Sequence, residues 1–166
     1  MDDNQPATPP QLAANGKAAS DAVAEPAAPD AGAAERLQVL LHAVEEAEAR
    51  WGALDGASGD DLGALVDDWR AAHLGHRDEL SSALVGLRVE PESAAGAGIG
   101  GEVAGIGATL TGLRPATFKR LLRAENAILD LYTDTGRADP EHRGMFDRHR
   151  AELVALANRT QERIDP

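Results

Sequence analysis

Four stretches in which apolar residues recur at steps of three and four set the fold class of this chain. Leu37, Leu40, Leu41, Val44, Ala47 and Trp51 form the first. At 3.6 residues per turn such positions return to one side of a helix and give it a single face to bury. Leu62, Leu65, Val66, Trp69, Leu80, Ala83, Leu84 and Leu87 form the second, after the glycine-rich "WGALDGASGDD". Phe118, Leu121, Leu122, Ile128, Leu129 and Tyr132 form the third, and Met145, Phe146, Leu153 and Leu156 the fourth.

The punctuation agrees with four helices, A to D. Ser58 and Asp61 resemble a capping box at the start of helix B. Pro115 suits the first position of helix C and Gly136 its stop. Asp139-Pro140-Glu141 carries a cap residue, a first-turn proline and an acid facing the helix dipole, so helix D is predicted to start there and to run to about Ile164. Short A–B and C–D turns with a long glycine-rich B–C crossover predict an all-α, up-down-up-down four-helix bundle over 35–166. Phe, Tyr and Trp make up 3% of the chain, so leucine and alanine must supply most of the packing.

Residues 1–34 hold only Leu12 and Val23 as sizeable aliphatics among Ala, Pro, Asp and Gly. They cannot offset the entropy of ordering and are expected to be a disordered acidic tail. The start, "MDDNQPATPP", lacks the basic and apolar regions of an export signal, so a cytoplasmic location is expected.

Charge and composition exclude several functions. With 28 acidic against 16 basic residues and a net charge of -12, the chain's own field opposes nucleic acid and anionic lipid. No cysteine is present, which removes thiolate metal sites, disulfides and cysteine nucleophiles. Gly96, Gly98 and Gly101 fit a dinucleotide-binding glycine pattern, but no strand precedes them. Gly101 and Gly105 have the spacing of membrane helix packing, but Glu102 lies between them and bulky apolar residues are few, so membrane insertion is not expected.

The polar residues within the stripes carry what chemistry there is. Projected at 100 degrees per residue, Glu48, His73, His76, Glu125, His142 and His149 point with the leucines. One carboxylate or imidazole per helix is the composition from which bundle-core metal sites are built. Glu-x-x-His, the usual motif, is absent: Arg70 precedes His73 and Phe146 precedes His149 at that spacing. The reversed spacing occurs twice, as His76-x-x-Glu79 and His149-x-x-Glu152.

With both turns at one end, Glu125 and His149 lie about twelve residues down, Glu48 about eight and His73 about seventeen, which separates Glu48 from His73 by roughly 13 Å at the helical rise. Glu125 and His149 therefore emerge as the same-level pair. One reading is a hydrogen-bonded polar layer that fixes helix register, since an imidazole beside a buried carboxylate satisfies both groups. Another is a metal, iron or another divalent ion, held by Glu125 and His149 with Glu48 and His73 as further candidate ligands; acid-base catalysis is a third. His73 and His76 also fit satisfied or bundle-end histidines.

The segments "WRAAHLGHRDEL" and "EPESAAG", the glycine-rich crossover, and "RAENAILDLYTD" resemble the small bacterial ferritin-like four-helix-bundle proteins classed as a domain of unknown function. The resemblance spans about Leu37 to Thr160 and implies a ferritin-like fold. In it Arg70, His73, Glu125 and Tyr132 match family positions, as does His149 in the last helix, while Asn126 replaces the usual acid after Glu125. It implies no assigned reaction. The function expected is a non-enzymatic structural or interaction protein, a homo-oligomer being one option; the alternative is an iron-handling bundle.

Overall fold

The structure, a computed structural model, describes residues 31–54, 61–94 and 115–165. Among them every regular element of any length is an α-helix: α1 (Ala31–Gly52), α2 (Asp61–Gly86), α3 (Pro115–Ala138) and α4 (Arg143–Ile164). The expected tail falls outside the described residues up to position 30, as do the Ser58 cap and the crossover from 95 to 114. Helix α1 begins four residues before Glu35, because alanine has the highest helix propensity and Ala33 and Ala34 find cover in the core.

Each stripe faces inward. Leu37, Leu40, Leu41, Val44 and Trp51 of α1 meet Val66, Trp69, Leu80 and Leu84 of α2, with Phe118, Leu121, Ile128, Phe146, Leu153 and Leu156 from α3 and α4 in the same cluster. Each of these large apolar side chains contributes about 1.5–3 kcal/mol when fully buried. Leu54, just past α1, is also fully buried and seals that end of the core.

The packing pairs α1 with α2 and with α3, and α4 with α2 and with α3. Contacts fix the directions. Trp51, late in α1, reaches Trp69 of α2 and Glu125 of α3. Gln38 and Arg36, early in α1, reach Glu92 beyond α2 and the carbonyl of Ala138 at the end of α3. Helix α1 is thus antiparallel to both. Trp69 meets Thr160 and Lys119 meets Asp165, which makes α4 antiparallel to α2 and to α3.

The order is therefore up-down-down-up, which corrects the up-down-up-down expectation. Since α2 and α3 run the same way, the end of α2 and the start of α3 lie at opposite ends of the bundle, about 39 Å apart along the helical rise.

The ends follow local chemistry. Helix α2 closes with the Val89 N–H on the Leu84 carbonyl at 3.0 Å and the Arg88 N–H on the Val85 carbonyl at 2.9 Å. This is a Schellman arrangement, and it holds Arg88 at φ 61, where glycine is the usual occupant. Helix α3 continues past Gly136 to Ala138. Regular helix in α4 starts at Arg143, later than the Asp139-Pro140-Glu141 signal suggests. The N-cap is His142, without a side-chain cap bond, and Asp139 closes the turn before it instead: its Oδ1 accepts the His142 N–H at 3.2 Å, and its Oδ2 lies 2.8 Å from His142 Nδ1. That side-chain contact draws His142 into the turn, half-buried rather than inward on α4.

Candidate functional site: a buried polar column

Trp51 and Trp69 stack with centroids 4.8 Å apart and planes 5° from parallel, and both are fully buried. A buried indole N–H needs an acceptor. Trp69 Nε1 donates to Thr160 Oγ1 at 2.9 Å, and Trp51 Nε1 donates to Glu125 Oε1 at 2.8 Å. The other carboxylate oxygen, Oε2, lies 3.3 Å from His73 Nε2, an ion-pair distance with no hydrogen bond formed between them. Glu125 and His73 are 1% and 0% exposed, so this contact ties α3 to α2 in the absence of water.

One turn further along α2 lies a second layer. His76 and His149 stack face to face, centroids 3.9 Å apart and planes 12° from parallel. His76 Nε2 is 3.0 Å from Glu152 Oε2, and His149 Nε2 is 3.3 Å from Glu79 Oε2. The two His-x-x-Glu motifs thus exchange partners across the α2–α4 seam. Tyr132 completes the layer, its hydroxyl 3.2 Å from His76 Nδ1.

Protonation follows from these surroundings. Burial, then the neighbouring His149, lowers His76 to about 4, against the contacts with Glu152. His149 is lowered too, chiefly by burial and despite Glu79. Two imidazolium rings at 3.9 Å would repel by about 4 kcal/mol at an effective dielectric of about 20. Burial alone would raise Glu79, but His149 and Arg148 together hold it below the usual carboxylate range. Burial, then Glu125, Glu79 and Glu152, pushes the Tyr132 phenol well above its ordinary value.

Neutral His76 has one tautomer that fits. Glu152 as a carboxylate can only accept, so Nε2 carries the hydrogen and Nδ1 accepts from Tyr132. The result is a directed path from the buried phenol to Glu152, whose side chain is 53% exposed.

Of the four candidate metal ligands the structure brings Glu125 and His73 together, 3.3 Å apart, and places His149 and Glu48 with other partners. Glu125 meets His73, while His149 meets His76 and Glu79. Glu48 lies at the half-exposed α1–α2 edge, 3.2 Å from Arg77 Nη1. The Glu125–His149 pairing requires both turns at one end of the bundle; with α2 and α3 parallel the turns lie at opposite ends, and the level of Glu125 becomes that of His73. Among the described residues no group of three or more His, Asp or Glu side chains is placed to hold a metal ion.

Sequence reasoning misses Trp51 and Trp69 as hydrogen-bond donors and Tyr132 as the partner of His76. The signal that could have found them is that a buried Trp or Tyr must find a partner. No family model matches the chain, and no curated protein or solved structure matches it.

Proposed function

We propose that the chain is a cytoplasmic ferritin-like bundle of the small bacterial kind its sequence resembles, working as a non-enzymatic structural or interaction protein. In this reading the buried polar column sets which helix pairs with which, and at what level. One observation carries the proposal: the buried Glu125 carboxylate is enclosed by the protein, Oε1 accepting from the Trp51 indole and Oε2 lying 3.3 Å from His73 Nε2 without a hydrogen bond. A carboxylate so enclosed serves as a bracket between α1, α2 and α3. The parallel α2 and α3 with a long connection between them support the ferritin-like order, which has one such crossover.

The test is metal content by mass spectrometry after anaerobic reconstitution with Fe(II), Mn(II) and Zn(II), for the wild type and Glu125→Ala/His149→Ala. The expected result is background metal in both. One or two equivalents in the wild type, lost in the double variant, would overturn the proposal in favour of a metal-binding bundle.

A further inference from the structure

Both tryptophans, the single tyrosine and both phenylalanines of the chain lie in one unbroken series of ring contacts. From Phe118 it runs to Trp51 at 6.0 Å, Trp69 at 4.8 Å, His73 at 5.8 Å, His76 at 6.2 Å, Tyr132 at 5.9 Å and Phe146 at 6.4 Å. A chain this poor in aromatics could scatter five rings through a leucine core. Instead it aligns the two residue types easiest to oxidise by one electron, Trp and Tyr, along one line.

The tyrosine end has what such an oxidation requires. A phenol that loses an electron becomes a strong acid and must release its proton at once. Tyr132 is 1% exposed, so water cannot take that proton. The acceptor in contact is His76 Nδ1, free to accept because burial keeps the imidazole neutral near pH 7 and Glu152 fixes the hydrogen on Nε2.

We propose that the column is a relay for one-electron oxidation, with Tyr132 as the terminal donor and His76–Glu152 as the exit for its proton. The co-reactant is an external one-electron oxidant at the bundle surface. It takes one electron from the column, and the hole passes through the Trp51–Trp69 stack to Tyr132. The Tyr132 O–H bond breaks, its proton moves to His76 Nδ1, and the Nε2 hydrogen of His76 passes to Glu152 and on to solvent. Tyrosine and oxidant become neutral tyrosyl radical, reduced oxidant and one released proton.

Photogenerated tris(bipyridine)ruthenium(III) serves as the oxidant, with transient absorption and electron paramagnetic resonance as readouts on the full chain. Because the chain has one tyrosine, any tyrosyl signal belongs to Tyr132. The wild type is expected to give a neutral tyrosyl radical, Tyr132→Phe to lose it, and Trp69→Phe to lose most of its yield. Glu152→Gln, at a half-exposed position that requires no repacking, is expected to slow radical formation and change its pH dependence. Circular dichroism melts establish that each variant is folded, and Glu152→Gln decides the matter if Trp69→Phe is not. A wild type that yields only tryptophanyl radical, or tyrosyl formation unchanged in both folded variants, overturns the relay.

Discussion

Lowering the pH should unfasten α2 from α4 through His76. The imidazole is 2% exposed, and its pKa falls from 6.5 in the unfolded chain to about 4 in the fold. Between those values the unfolded chain binds the proton and the folded one resists it. The stability lost on acidification therefore begins near pH 6.5, accumulates as the pH falls, and levels off below about 4. At 1.36 kcal/mol per unit, the shift to about 4 corresponds to about 3 kcal/mol. The chain's net charge of -12 acts the other way, since acid relieves repulsion among carboxylates. Urea unfolding from pH 7.5 to 4 is therefore compared between the wild type and His76→Gln, whose amide can still meet Tyr132. The difference between the two curves should change by about 3 kcal/mol over that window, the wild type losing more. A difference that stays flat, or a wild type that gains relative to the variant, would refute the assignment of His76 as a buried neutral group.

Other substitutions test single features. Arg88→Gly relieves a left-handed position at φ 61 and should stabilise by about 1 kcal/mol, seen as a higher urea midpoint with unchanged slope. Gly75→Ala lies mid-helix, where an added β-carbon would meet nothing within 4 Å, and should add about 0.5–1 kcal/mol in the same assay. Trp51→Phe keeps an aromatic ring but deprives Glu125 Oε1 of its donor, which should cost about 1–3 kcal/mol beyond the loss of ring contact.

The helices are legible because burial writes its period into the sequence: Leu37, Leu40, Leu41, Val44 and Trp51 all lie in the core as their spacing requires. Direction is not. Nothing in the pattern of α3 distinguishes up from down, and that binary choice determines whether Glu125 faces His73 or His149. The inward set holds for His73, His76, Glu125 and His149, all buried. Glu48 departs from it because it lies at the margin of its stripe, where Arg77 from α2 holds it outward. The crossing of His76 with Glu152 and of His149 with Glu79 depends on how α2 and α4 register, which neither motif encodes alone.

The sharpest test of the polar column as a bracket between helices is the coupling free energy of Glu125 and His73, from urea unfolding of the wild type, Glu125→Leu, His73→Leu and the double variant. Each single change strands its partner in the core and should cost about 3–5 kcal/mol. The double change should cost less than the two singles together, with a coupling of about 0.5–3 kcal/mol. Additive losses would mean that the two side chains do not act as a pair, and the bracket would have to be abandoned.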